Sequence, residues 1–167
     1  MGMRDLFDNV SLHLVQVLEQ NRAKIQAQYR SFIDKDFVIY KGRQSQIPGY
    51  PAIEIVRGPV NSAWFATRAI DEKYNYYLDC SIKHASREVA GEFVTTLGRA
   101  VQLVLNDFRN LRPLIPGTIN IRAADSFADS ADPGFRRAQG ERTSRVSWRC
   151  NIANIVNSPG GGNFIPC

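Results

Sequence analysis

The chain has 167 residues, of which 44% are hydrophobic and 22% are charged, and its formal net charge is +5. This length fits one domain with a single core, and this composition excludes an intrinsically disordered chain. The scattered basic residues indicate only a mild preference for anionic partners, and no apolar run approaches the ~20 residues of a membrane-spanning helix or forms a signal peptide.

The first predicted element is an amphipathic helix from Arg4 to about Ile33. Apolar residues recur there at spacings of three and four and alternate with polar ones. No Gly or Pro follows Gly2 in this segment, so nothing in the backbone breaks the helix before Asp34, although the pattern allows a kink near Asn21. The mixed charges of its polar face favour packing on a sheet over lying in a membrane interface.

The segment from 37 to 84 predicts the first strands of a sheet. Residues 37–41 and 52–57 are β-branched and aromatic, and they predict two short strands or one strand with an extended lead-in. A turn is predicted at Gly58 and Pro59, ahead of the strongest strand at 73–84. One face of that strand carries Tyr74, Tyr76, Leu78, Cys80 and Ile82, and the other carries Asn75, Tyr77, Asp79, Ser81 and Lys83. This alternation predicts a sheet with one buried face.

A second amphipathic helix is predicted after Ser86. The Ser86 hydroxyl suits the N-cap position, and Glu88 places negative charge in the first turn. The apolar stripe of this helix continues to Phe108, and Pro113 is expected to end it.

Two further strands, 118–122 and 143–155, are predicted to pair, with a long polar loop from Ala123 to Arg142 between them. The loop is acidic in its first half and basic in its second. Its charged residues include Asp125, Asp129, Asp132, Arg136, Arg137 and Arg142. After residue 156 the Gly-rich tail carries Phe164 and Ile165, which we expect to dock on a neighbouring molecule.

The predicted fold class is therefore α+β. We expect a mostly antiparallel sheet of four to five strands, packed by two long amphipathic helices, with a long loop or hairpin extension between the last two strands. Residues 1–156 form this single domain, and residues 157–167 form a flexible or neighbour-docking tail.

The sequence offers no set of residues with the spacing of a catalytic or ligand site. Neither His13 nor His84 lies near a nucleophile motif, so we expect both to be structural or superficial. Cys80, Cys150 and Cys167 lack metal-ligand spacing, and we expect buried reduced thiols at the first two positions. The loop aspartates lack a calcium-loop pattern, and no helix follows the terminal glycines to bind phosphate. We predict no enzyme activity, no cofactor and no metal.

Nucleic-acid binding is an alternative to consider, because tyrosines and cations are interleaved near residue 75. Tyr74 and Tyr76 belong to the core face of their strand, which leaves Tyr77 on the other face. Arg145 and Arg149 form an outward basic row, which either faces a channel or partner or pairs with Asp79 on a neighbouring strand.

The order of elements resembles the tail-terminator and neck (tail-completion) proteins of tailed bacteriophages. The resemblance lies in the pattern of elements over about 100 residues, from PAIEIV at 51–56 through YNYYLDCSI at 74–82 and SREVA at 86–90 to RTSRVSWR at 142–149. The family has no invariant catalytic or ligand motif to compare.

The resemblance implies a structural virion protein that forms a ring, expected to be hexameric, at the phage neck. Such a ring ends the tail tube and joins it to the head connector, and DNA passes through its lumen without sequence-specific binding. The implied partners are sister copies, connector proteins and tail-tube proteins, with assembly in the host cytoplasm and no membrane contact. The alternatives are a head-side connector or stopper subunit and a small basic nucleic-acid-binding module.

A ring requires heterologous interfaces between its subunits. The polar loop and the tail are the expected contact arms, because opposite charges within the loop are suited to pair across a subunit boundary. The subunit-interface candidates are Asp125, Asp129, Asp132, Arg136, Arg137, Arg142, Phe164 and Ile165. Arg145 and Arg149 are the candidates for a surface that faces the channel or a partner.

Overall fold

The computed structural model describes residues 3–31, 33–66, 69–107, 121–129 and 138–155. The helices in these ranges are α1 (Met3–Gln20), α2 (Arg22–Tyr29) and α3 (Arg87–Leu105). The strands are β1 (Val38–Lys41), β2 (Ala52–Ala66), β3 (Ala69–Lys83), β4 (Ile121–Asp129) and β5 (Glu141–Ile155). The predicted α+β class is confirmed.

The described strands form one five-stranded sheet in the order β1-β2-β3-β5-β4. Strands β2, β3, β5 and β4 pair antiparallel, whereas β1 runs parallel to β2. The sheet is therefore mixed, with the parallel pair at one edge and the β4–β5 pair at the other.

The predicted first helix is divided at Asn21, where the sequence allowed a kink, so the described chain has three helices where two long ones were expected. Asn21 has φ −106° and ψ 13°, and its side-chain amide donates to the Val17 carbonyl at 2.8 Å. The backbone amide of Asn21 still donates to the Val17 carbonyl and the Ile25 amide to the Asn21 carbonyl, so the chain is kinked at this residue and continues as helix. The short α2 that follows ends at Tyr29 rather than near residue 33, and the Tyr29 hydroxyl donates to the Lys35 carbonyl at 3.0 Å.

The core lies between the helices and one face of the sheet. The predicted inward face of β3 is confirmed, because all five of its side chains are buried. They pack with Trp148 of β5 and with apolar residues of α1 and α3. The rings of Tyr29 and Phe93 meet edge to face at 4.9 Å between centroids, which locks α2 onto α3.

The start of α3 is capped as the sequence predicts. The Val89 amide donates to the Ser86 hydroxyl at 3.3 Å, and the Ser86 amide donates to Nδ1 of His84 at 3.0 Å. The His84 amide in turn donates to the carbonyl of Gly140 at 3.1 Å. Gly140 has φ +79°, and a Cβ at this position would lie 3.0 Å from the His84 carbonyl oxygen, so glycine is required there.

Two predicted loops or turns are strand instead. Gly58 and Pro59 do not end β2, which continues to Ala66 across an irregularity between Arg57 and Val60. Proline lacks an amide donor, and a bulge accommodates it inside a strand. Residues 121–129, most of which were expected to lie in the polar loop, form β4, because pairing with β5 overrides their weak strand propensity.

Helix α3 ends at Leu105, before the predicted end of its apolar stripe, and Phe108 and Pro113 lie outside the described residues. The tail from 157 to 167 also lies outside them. None of the helices in the described ranges has the length and hydropathy that a membrane span requires.

Candidate functional site: the strapped face of the sheet

The face of the sheet opposite the helices is covered over part of its length. The alternation in β3 predicts Asp79 and Ser81 on an outward face, yet both are 0% exposed. Residues 42–51, which we call the strap, connect β1 to its parallel neighbour β2, and Arg43 of the strap reaches Asp79 on this face. Contacts from the strap reach β2, β3 and the start of β5, so the expectation of only one buried face is wrong here.

Asp79 is the centre of this covered face. It lies opposite Arg145 in the β3–β5 register, and the Arg145 guanidinium donates to both carboxylate oxygens, at 2.7 and 3.0 Å. Arg43 of the strap donates to the Asp79 Oδ2 at 3.2 Å. The Arg145 guanidinium also lies 4.5 Å from the centroid of the Tyr77 ring, which is cation–π geometry. One strand arginine and one strap arginine therefore neutralise a fully buried carboxylate.

Two more buried carboxylates hold the strap. Glu54 lies opposite Asp79 in the β2–β3 register. Its Oε2 accepts a hydrogen bond from the backbone N–H of Gln44 in the strap, at 2.7 Å. Glu141, the first residue of β5, accepts the Tyr50 hydroxyl at 2.7 Å. We call Glu54, Asp79 and Glu141 the acidic row.

Neutral hydroxyls fill the space beside the acidic row. Ser81 and Thr143 face each other in register, and their hydroxyl oxygens share a hydrogen bond at 2.9 Å. The Thr143 hydroxyl also lies within 3.5 Å of a Glu141 carboxylate oxygen. These contacts satisfy polar groups that would otherwise be costly to bury.

The two ends of the strap are fixed by the β1–β2 ladder. The Val38 amide donates to the Pro51 carbonyl at 2.9 Å, and the Gly42 amide donates to the Ile55 carbonyl at 2.8 Å. The strap re-enters β2 through the cis peptide bond between Tyr50 and Pro51. Its path across the sheet is thus set at both ends and at three carboxylates in between.

On this face, hydrogen bonds from the strap hold all three carboxylates, and ion pairs with two arginines are added at Asp79. Each carboxylate of the acidic row accepts a hydrogen bond from a named donor of the strap. Among the residues that the structure describes, no group of three or more His, Cys, Asp and Glu side chains is arranged to hold a metal ion. The arrangement is suited to holding one segment against another.

The described cysteines confirm the expectation of buried, reduced thiols. Cys80 and Cys150 are both free and buried in the core. Desolvation raises the pKa of the Cys80 thiol far above its usual value, with a smaller contribution from the negative charge of Asp79. Burial raises the pKa of Cys150 to about 12. Both thiols are therefore protonated and unreactive at neutral pH, whereas Cys167 lies outside the described residues.

Both histidines have structural positions, as the sequence predicts. His84 accepts the Ser86 amide at the start of α3. His13 is buried on α1.

The two arginines of the predicted basic row, Arg145 and Arg149, have different environments. Arg145 is bound to Asp79, so its pairing alternative is confirmed. Arg149 is exposed on β5, where its backbone lies opposite Asn75 of β3 and Asp125 of β4.

The predicted interface residues are only partly described. Asp125 and Asp129 are in register with Arg149 and Arg145, in a strand rather than in the expected loop. Arg142 is partly buried near the start of β5 and lies opposite Ile82, so it is also a strand residue. The remaining candidates lie outside the described residues, and they are Asp132, Arg136, Arg137, Phe164 and Ile165.

The strap contacts were not predicted from the sequence. A signal was present at Glu54, a carboxylate set in the apolar run of 52–56. Its period places it on the same face as Asp79 once the β2–β3 register is known. Arg43 and Tyr50 have no such signal, because a loop has no periodicity that shows which way it folds.

No protein-family model matches the chain, and no curated protein sequence matches it significantly.

Proposed function

We propose that the protein is a structural subunit of a ring, expected to be hexameric, at the neck of a tailed bacteriophage. The ring ends the tail tube and joins it to the head connector, and DNA passes through the lumen without sequence reading. The observation that supports this proposal is the order of elements, in which helices, three strands, a long helix and a final strand pair follow one another. This order resembles that of the tail-terminator and neck proteins.

The arrangement of the sheet is compatible with ring formation. A ring requires two different surfaces of each subunit to meet. Among the described strands, the edges of the sheet are β1 and β4, which differ in length and in pairing direction. We assign one side of the subunit contact to the β4–β5 hairpin and its connection, with the charged residues of 125–142 and the tail residues Phe164 and Ile165.

The basic residues receive separate roles in this proposal. Arg145 acts within the subunit, because its guanidinium is bound to Asp79. Arg149 is exposed and is the candidate for the channel or for a partner surface. In this proposal the protein has no enzyme activity and requires no cofactor. It is assembled in the host cytoplasm and functions in the virion.

A head-side connector or stopper subunit would share these features. The nucleic-acid-binding alternative draws on the end of the sheet beyond the strap, where Lys73 and Arg149 are exposed and Tyr77 is partly exposed on one face. Cations beside an aromatic ring suit a nucleic-acid backbone and base.

The mass of the native assembly tests the proposal. We expect light scattering coupled to size exclusion to give a multiple of the 18.8 kDa chain mass that fits a ring, with six copies expected. A monomer at all concentrations would contradict the ring. Tight DNA binding that weakens steeply with salt, by a monomer or a dimer, would favour the nucleic-acid module.

A charge reversal tests the assigned contact. Arg136→Glu together with Arg137→Glu is expected to reduce the ring fraction, because the basic half of the connection would then repel the acidic half of a neighbour. Arg99→Gln is the matched control, since Arg99 is exposed on α3 and hydrogen-bonds to Gln102 of the same helix. A ring that survives the double reversal unchanged would remove the connection from the interface.

A further inference from the structure

The strap is only partly buried against the sheet. Residues 42, 43, 45, 46 and 48 are exposed, residues 44, 47, 49 and 50 are partly buried, and Pro51 at its end is buried. Its hydrogen bonds to the sheet run from Arg43, the Gln44 amide and Tyr50 to the three carboxylates of the acidic row. A segment that is half exposed opens at a lower free energy than the core.

The two arginines on Asp79 differ in how firmly they are held. Arg145 donates two hydrogen bonds from a neighbouring strand, and its side chain is 20% exposed. Arg43 donates from the strap at 3.2 Å, and its side chain is 40% exposed. A paired arginine on a strand is fixed by the sheet ladder, whereas a half-exposed arginine on a loop keeps more side-chain freedom.

We propose that the strap is a latch that opens as a unit while the sheet stays folded, and that Arg43 is the partner that leaves Asp79. Arg145 remains bound and prevents the buried carboxylate from losing all of its counter-charge. Opening converts a covered and charge-paired face of the sheet into an accessible acidic one, with Glu54, Asp79 and Glu141 open to solvent. The helix face of the sheet is not changed by this motion. The latch is a property of the single chain and does not depend on ring formation.

Hydrogen exchange of the full-length chain, followed by mass spectrometry, tests the latch. We expect peptides from 42–51 to exchange faster than peptides from β3 and α3, even though the backbone N–H of Gln44 donates to a buried carboxylate. Arg43→Gln and Tyr50→Phe should each accelerate exchange of the strap by roughly threefold to tenfold, the effect of losing one hydrogen bond. Exchange in β3 and α3 should not change.

Matched variants separate the latch from a general loss of stability. Arg99→Gln removes an exposed arginine from α3 and should leave every peptide unchanged. Arg145→Gln should accelerate exchange across β3 and β5 as well as in the strap, because it removes the partner that is fixed to the sheet.

Two results would overturn the proposal. The first is a strap that exchanges only together with β2 and β3, with Arg43→Gln and Tyr50→Phe accelerating all peptides equally. The second is unchanged strap exchange in both variants. Should one variant fail to fold, the other still decides, because Arg43 and Tyr50 contact different carboxylates.

Discussion

The two faces of the sheet are stabilised by different kinds of interaction. The helix face is apolar and packs against α3, with α1 and α2 contributing to the same core, and Tyr76, Leu78 and Trp148 are all but fully buried there. The strap face is covered by a loop and held by charged and polar groups around Asp79. Apolar burial has no direction and scales with area, whereas charge pairing depends on a few atoms in defined positions. The first kind of contact therefore tolerates adjustment, and the second is lost when a single group is removed.

The largest effect should come from the helix face. Trp148→Ala is expected to lower the free energy of unfolding by about 3–5 kcal/mol, because it opens a cavity next to Tyr76 in the buried core. Urea denaturation measures the change. Ser147→Ala, at the neighbouring position on the strap face, is the matched control and should cost about 1 kcal/mol or less. Equal losses at the two positions would contradict the contrast between the faces.

Removal of the central carboxylate tests the strap face. Asp79→Ala leaves two guanidinium groups without their shared acceptor, and we expect a loss of about 2–4 kcal/mol. Combining Asp79→Ala with Arg145→Gln should cost less than the sum of the two single changes, since both remove the same ion pair. Additive losses in a double-mutant cycle would mean that the pair is not coupled.

Alkaline pH should lower the free energy of unfolding through two buried groups on the helix side of the sheet. The folded-state pKa of Cys150 is raised from 9.0 to about 12, and that of Tyr29 is raised from 10.0 to about 12, in both cases mainly by desolvation. The unfolded chain loses these protons first, so stability is complete below pH 9 and falls as the pH rises towards 12. For each such group the slope approaches about 1.4 kcal/mol per pH unit.

Cys150→Ala is the variant that isolates this contribution. It should lower stability at neutral pH through the small cavity and should also reduce the loss between pH 9 and pH 12. Thermal melts across this range measure both effects. An unchanged alkaline slope would remove Cys150 from the explanation.

The smallest predicted effect is at Ser86, which lies between the end of β3 and the start of α3. Ser86→Ala should lower stability by about 1 kcal/mol, because the Val89 amide loses its cap. Ser86→Asp should retain most of it, since a carboxylate also accepts from the first turn. Equal losses in both variants would mean that the hydroxyl contributes through packing rather than through the cap.

Local and periodic signals predicted much of the helix face. The alternation in β3 identified its buried side chains, and Ser86 marked the start of α3 correctly. The sequence allowed the kink at Asn21, but it did not predict the separate α2, because the side-chain bond from Asn21 to Val17 depends on local geometry. Strand β4 was placed too early because its Ala, Ser and Asp residues acquire strand structure only by pairing with β5.

The strap face could not be derived from the sequence for a different reason. The period of β3 places Asp79 away from the core, but it does not show that a loop folds over that side. The parallel pairing of β1 with β2 forces the connection to return along the sheet, and this pairing is a tertiary property. The candidate site thus depended on a topology that no local pattern in residues 42–51 indicates.

The turn before β5 joins three elements at one point. The His84 amide at the end of β3 is bonded to the Gly140 carbonyl, and His84 also accepts the amide of Ser86, where α3 starts. Gly140 has a positive φ, and a Cβ there would lie 3.0 Å from the His84 carbonyl oxygen, so the turn packs tightly against the end of β3. The turn at 138–140 and the first turn of α3 therefore share His84 as a common hydrogen-bonding partner, so a substitution at this residue would disturb the end of β3, the turn and the helix start together.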